Sequence, residues 1–306
     1  MKRFIYLAVL AALVIAGVVA LWRNAPGPAA VSSGKLRVTA SFYPMYYFAS
    51  MVGGPYADVT DITPAGAEPH DYEPTPQDIV RIETSDILVL NGNLLEPWGD
   101  RVAAELVGTP VRVIVAGQGL ADEKLTENGA SVTDPHIWLD PVLAKQEVQR
   151  IADGFVAADP AHGAAYQANA KMVENALDTL DRKFQAGLNS CARTDFVTSH
   201  AAFGYLASQY GLNQIAITGV SPDQEPSTQA LAALTQLVKQ NNIRYIFFER
   251  LISPKLADTL AQETGAQTLV LDPIEGLTAS DLAQGKDYVT QMEMNLQNLR
   301  LALSCR

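Results

Sequence analysis

The stretch DPHIWLDP, Asp134 to Pro141, sets the reading of this chain. Pro135 stands directly before His136 and Pro141 five residues after it, so the backbone is stiff on both sides and the imidazole has a fixed direction. Trp138 lies beside it, and a long helical run follows. The 306 residues include only four histidines, and three share this setting. His70 lies in GAEPHDYEP and His200 in VTSHAAFGYLASQYGL, each after a strand or loop and before a helix. His162, near the start of a long helix, has no such context and is expected on the surface.

Outward from that stretch the chain alternates strand and helix. Strands are expected over 36–42, 57–62, 86–91 and 111–116, with helices over 43–51, 75–84 and 98–106. A helix over 141–157 follows. Asp159-Pro160 then supplies an N-cap and a proline at a first helical position, starting a helix that runs to about Leu188. At 1.5 Å per residue it would be about 45 Å long, enough to span two bodies. Beyond it come strands over 195–198, 214–218, 245–249 and 267–271, with helices over 201–210, 227–241, 254–264 and 287–303. The expected fold is α/β: two lobes, each a four-stranded parallel sheet covered by helices, joined by one long rigid backbone helix. The lobes would be 36–158 and 190–306, with the linker helix at 159–189.

Lys2 and Arg3 precede an apolar run over 4–22, closed by Arg23. Residues 1–23 read as a signal peptide or an uncleaved membrane anchor, and 24–35, rich in Pro, Ala, Gly and Ser, as a tether. Either reading places the body in the periplasm or otherwise outside the cytoplasm, with membrane contact through this segment alone. No cysteine stands near it to carry a lipid. Cys191 and Cys305 are the two cysteines, and an even count in an oxidising compartment favours a disulfide over two buried thiols. The formal charge of −11 argues against nucleic acid, which requires a basic surface. A hydrophobic content of 48% is ample for packed cores.

Ligands of open parallel sheets bind at the carboxyl ends of strands. His70 follows the second expected strand, His136 the fourth and His200 the fifth. Asp272, in LVLDPIEGL, ends the eighth. Two candidates from each half would thus converge in the cleft as a metal cage, with the cysteines at the opposite end. Taken singly, each residue has a plainer reading, as a hydrogen-bonded structural histidine or, for Asp272 before Pro273, as a turn residue. Their common placement carries the argument. Glu68, Asp134 and Asp140 are close enough in sequence to orient the rings.

With these residues quoted, the chain resembles the zinc and manganese solute-binding receptors of bacterial ABC transporters, from Leu36 to its end. The resemblance rests on VTASFYPMYYFASMVGG, GAEPHDYEPTPQDI, DPHIWLDP, TSHAAFGYLASQYGL, IFFERLISPKLADTLAQETGA and LVLDPIEGL, in that order. It implies two lobes on a backbone helix, with His70, His136, His200 and Asp272 at the four metal-ligand positions. At the third position manganese receptors commonly carry glutamate and zinc receptors histidine, so His200 favours Zn2+. Three imidazoles and one carboxylate suit a closed tetrahedral zinc site. A manganese-specific or dual receptor is the alternative, and the lack of histidine over 117–133 removes the capture loop that many zinc receptors have. The implied function is extracytoplasmic capture of the metal and its delivery, as a monomer, to an ABC permease in the inner membrane. A zinc hydrolase would keep a coordination position for water, and no HExxH motif is present. A receptor for metal chelates, such as siderophores, would share the lobes and the rod.

Overall fold

Four short strands build the first sheet, of which only the third is an unbroken apolar run. Its strands are β1 (Leu36–Ala40), β2 (Ala57–Asp61), β3 (Ile87–Leu90) and β4 (Arg112–Val115), all parallel, in the order β2-β1-β3-β4. β3 reads ILVL and is buried at every position, as a strand covered on both faces must be. The helices between these strands are α1 (Tyr43–Gly53), α2 (Pro76–Thr84) and α3 (Gly99–Glu105). α2 begins with a capping box in which the Thr75 hydroxyl accepts the Asp78 amide and the Asp78 carboxylate accepts that of Thr75. The structure is a computed structural model and describes residues 34–306 apart from 93, 94, 128 and 225. The expected signal or anchor, and the tether up to residue 33, lie outside the described residues. Among the described residues no helix is long and apolar enough to cross a membrane.

An antiparallel hairpin, β5 (Lys124–Glu127) with β6 (Ala130–Thr133), leads into the DPHIWLDP stretch. It was not among the expected elements, because KLTE and ASVT are too short and polar to carry a strand pattern. α4 (Pro141–Ala158) opens on Asp140, whose carboxylate accepts the Val142 amide at 2.8 Å. α5 (Gly163–Leu188) has 26 residues, hence a length of about 39 Å. It is shorter than expected because Pro160–His162 form a separate 3-10 turn. His162 is partly exposed, as expected, and has local partners: its Nδ1 lies 2.6 Å from Asp159 Oδ2 and its ring stacks on Tyr56 at 4.2 Å.

The second sheet comprises β7 (Asp195–Thr198), β8 (Asn213–Ala216), β9 (Tyr245–Phe248) and β10 (Gln267–Val270), parallel, in the order β10-β9-β7-β8. Both sheets therefore place their first strand between their second and third. Strand order reverses between β1 and β3, and between β7 and β9, which are the switch points where open sheets form ligand crevices. The helices of this half are α6 (Gly204–Tyr210), α7 (Thr228–Gln240), α8 (Lys255–Thr264), α9 (Ala279–Ala283) and α10 (Tyr288–Ala302).

Along α5, Tyr166, Ala170, Val173, Leu177, Leu180 and Phe184 are buried at alternating spacings of four and three, one apolar stripe. The helix packs on α1 and α4 of the first half and on α10 of the second. A single apolar core consequently runs through both halves, from Phe42 and Trp138 past Leu180 and Phe184 to Phe247 and Tyr288. Each fully buried aromatic here contributes roughly 1.5–3 kcal/mol. Tyr288 stacks on Tyr47 at 5.7 Å and meets Phe48 edge-on at 5.0 Å, so the last helix also packs on the first half. The expected disulfide is present: Cys191 and Cys305 are bonded at 1.98 Å, on the amino-terminal side of β7.

Candidate metal centre

Four segments bring one donor atom each to the cleft. His70 lies in the loop between β2 and α2. The Tyr72 hydroxyl donates to Asp78 Oδ2 at 2.6 Å and so ties that loop to the first turn of α2. His136 begins the 3-10 turn Ile137–Leu139, and Asn91, next after β3, holds Pro135 by an amide-to-carbonyl bond of 3.0 Å. His200 stands two residues beyond β7, its carbonyl accepting from Thr198 Oγ1 at 2.7 Å and Gln214 Nε2 at 2.9 Å. The fourth donor is Glu275, five residues beyond β10.

The distances define the cage. His136 Nε2 lies 3.2 Å from His70 Nε2, 3.3 Å from His200 Nε2 and 3.1 Å from Glu275 Oε1. Glu275 Oε1 is 3.4 Å from His70 Nε2 and 3.3 Å from His200 Nε2. Four ligands about 2.0–2.1 Å from a tetrahedral centre stand about 3.3–3.4 Å apart, so these edges fit one zinc-sized ion. His136, His200 and Glu275 are 0% exposed, and the His70 side chain 7%.

Asp272 is not among the converging donors. Its Oδ1 accepts the Ile274 amide at 2.9 Å and its Oδ2 lies 3.3 Å from Arg250 Nε, while burial raises its carboxyl to about 7. The acid that meets the three imidazoles is instead Glu275, three residues on in the same LDPIEGL run. The signal was present: an aspartate before proline commonly spends its oxygen on a backbone amide two residues on.

Carboxylates behind the rings set their orientation. Asp134 Oδ1 accepts the His136 amide at 2.9 Å and lies 2.7 Å from its Nδ1, which leaves Nε2 for the cage. Glu249 Oε1 accepts the His200 amide at 3.2 Å. Its Oε2 lies 2.7 Å from His200 Nδ1, an ion-pair distance, although neither atom makes a hydrogen bond of good geometry. Of the three residues singled out from sequence, Asp134 serves as a ring partner and Asp140 caps α4. Glu68 accepts the His70 amide at 3.4 Å and keeps its other oxygen buried without a partner. Glu249 carried no sequence signal, because only the parallel pairing of β7 with β9 brings it beside His200.

The electrostatics follow. Burial would lower all three imidazoles, and in His70 it prevails. In His136 it is outweighed by Asp134 and Glu275, which hold the ring above its ordinary value. Glu249 and Glu275 outweigh burial at His200 and hold that ring well above. Burial would raise Glu275, but His200 and the other two rings hold it well below the carboxylate range. Any proton on these rings must leave before their Nε2 atoms can bind a metal.

Trp138 and Tyr205 lock the two halves around this site. Trp138 Nε1 donates to the Pro273 carbonyl at 2.8 Å, and its ring meets Phe42 edge-on at 4.9 Å. The Tyr205 hydroxyl donates to the Asp134 carbonyl at 3.0 Å and accepts the Glu123 amide at 3.1 Å.

A family model described as ZnuA, zinc-uptake complex component A, periplasmic, matches residues 38–302. The zinc-binding protein AdcA of Streptococcus pyogenes serotype M3 is 39% identical over 300 residues, covering 92% of this chain and 58% of that protein. The chain therefore spans little more than half the length of those relatives. The high-affinity zinc uptake system protein ZnuA of Bacillus subtilis is 37% identical over 288 residues, 90% of each chain. Among solved structures, the Zn(II)-bound ZnuA-like domain of Streptococcus pneumoniae AdcA superposes with a TM-score of 0.77 at 40% identity, covering 88% of this chain and 99% of that one. The laminin-binding protein Lmb of Streptococcus agalactiae superposes with a TM-score of 0.79 at 34% identity, over 88% and 99%. A family match over 38–302, together with 37–39% identity across nine-tenths of the sequence, means that this chain belongs to the ZnuA family of zinc-uptake proteins.

Proposed function

We propose that this protein is an extracytoplasmic receptor that captures Zn2+ between its two halves and delivers it to an ABC permease. Its ligands are His70, His136, His200 and Glu275. The observation that carries the reading is their convergence: three Nε2 atoms and one carboxylate oxygen, two donors from each half, with five of the six edges at 3.1–3.4 Å and all atoms within 4.8 Å of one another. Imidazole-rich tetrahedral sites suit zinc better than manganese, which favours oxygen donors and more of them. The zinc-binding names of the relatives support the same choice.

The role is binding rather than catalysis. A catalytic zinc keeps a position for water, whereas four protein donors in a buried cage close the coordination sphere. The lobes at 36–158 and 190–306, with 159–189 between them, act as the bodies that part to release the metal. α5 and the shared core restrict that parting to small shifts. The amino-terminal segment places or anchors the receptor outside the cytoplasm, where Cys191 and Cys305 stay oxidised. It works as a monomer.

Calorimetric titration of chelator-stripped protein with zinc, then competition with manganese, tests the reading. One tightly bound zinc per chain that manganese does not displace is the expected result. Equal binding of both would make it a dual receptor. His136→Ala should cost more than the roughly 10–100-fold that loss of a ring-orienting partner costs. Zinc binding undiminished in that variant would remove the ligand assignment.

A further inference from the structure

The run from Leu271 to Leu277 holds an unusual backbone. Ile274 has φ +58° and is completely buried. A left-handed conformation is rare for a β-branched residue, disfavoured roughly 5- to 150-fold against ordinary geometry, and it persists only where its surroundings impose it. The surroundings here are specific. Asp272 Oδ1 accepts the Ile274 amide at 2.9 Å. The Asp272 amide donates to Asn295 Oδ1 at 2.9 Å, and its carbonyl accepts from Asn295 Nδ2 at 2.6 Å. Trp138 Nε1 holds the Pro273 carbonyl. The chain is thus fixed up to the residue before Glu275.

We propose that Asp272 is a positioning residue for the cage: its carboxylate holds Ile274 in the left-handed turn, and that turn aims Glu275 Oε1 at the three imidazoles. Returning Ile274 to φ near −60° would rotate the following residue by roughly 120° and carry its carboxylate out of the cage. Glu275 Oε2 has no partner, so nothing on the carboxylate's far side replaces the turn in setting its direction. This inference rests on the zinc reading above and assigns Asp272 a role through backbone geometry rather than through contact with the metal.

The experiment compares zinc affinity, by chelator competition, in the wild-type chain and in Asp272→Ala, Asp272→Asn and the double variant Asp272→Ala with Ile274→Gly. Loss of the acceptor in Asp272→Ala should weaken zinc about tenfold or more. Asp272→Asn keeps a carbonyl oxygen for the Ile274 amide and should recover most of that loss. Glycine adopts positive φ without strain, so the double variant should also recover affinity, although it loses the Ile274 side chain from the core. Neither recovery is expected of a metal ligand or of a merely structural carboxylate. Circular dichroism confirms that each variant is folded, and the Asn and double variants keep the test valid if Asp272→Ala does not fold. Asp272→Asn binding as weakly as Asp272→Ala would show that the charge matters, and would overturn the proposal. So would an unaffected Asp272→Ala, or a double variant no tighter than Asp272→Ala. A wild-type chain that binds no zinc would instead overturn the zinc reading, and this role with it.

Discussion

Gly204, at the start of α6, tests the link between Asp134 and His136 without replacing either residue. A Cβ at this position would stand 2.6 Å from Asp134 Oδ2, where ordinary contact begins at 3.4 Å. In Gly204→Ala the carboxylate must retreat by about 0.8 Å, or the helix must move away by as much. The other oxygen, Oδ1, holds the His136 amide at 2.9 Å and Nδ1 at 2.7 Å, so moving the carboxylate as a whole by that much carries both contacts to or beyond hydrogen-bond range. Two consequences follow. Overpacking costs typically about 1–3 kcal/mol of stability, offset by about 0.4–1 kcal/mol from the stiffer unfolded chain. Loss of the carboxylate behind a metal-binding ring costs about 10–100-fold in affinity. The assay is zinc competition against a chelator at fixed pH, with Asp134→Asn measured beside it and thermal melting as a check on folding. Both variants should weaken zinc by similar factors while remaining folded. Zinc affinity within twofold of wild type in Gly204→Ala, with Asp134→Asn impaired, would refute the reasoning by showing that the helix yields instead of the carboxylate.

Three further expectations follow from the same structure. Zinc affinity should fall as the medium is acidified: Asp134, Glu249 and Glu275 hold His136 and His200 above the ordinary imidazole value, and both rings must lose their protons to bind. Binding is therefore complete above those raised values and weakens as pH drops through them; calorimetry in buffers of different ionisation heat that detected no proton release would contradict it. Replacing Cys191 and Cys305 by serine should lower stability by up to about 4–5 kcal/mol on the chain-entropy model, with zinc affinity retained because the bridge is on the amino-terminal side of β7; a melt unchanged after replacement would count against it. Phe184→Ala empties a fully buried position of the α5 stripe and should cost about 3–5 kcal/mol in denaturant unfolding, and a loss under 1 kcal/mol would mean that the stripe does not hold the halves together.

The alternation of apolar strands and capped helices was legible because each signal is local. β3 reads as a run of apolar residues, and Asp140-Pro141 and Ser227-Thr228 read as helix starts. His70, His136 and His200 stood out because histidine is scarce in this chain and each lies at the outlet of a strand or loop. The hairpin over 124–133 and the 3-10 turn at Pro160–His162 were missed, since four-residue polar strands and single turns carry too little pattern. The family resemblance supplied a scaffold but put Asp272 at the fourth position, whereas the acid that meets the three imidazoles is Glu275, three residues on.

That choice belongs to the tertiary structure. From the sequence alone came two parallel sheets, a long helix between them, a favoured disulfide and three of the four converging side chains, because period, caps and rare residue types are properties of neighbours along the chain. Only the folded chain decided between Asp272 and Glu275. The deciding feature is a left-handed Ile274, held by a carboxylate, an asparagine from α10 and a tryptophan from the other half. No local rule places a β-branched residue at positive φ, so the direction of Glu275 is set by contacts between segments distant in sequence.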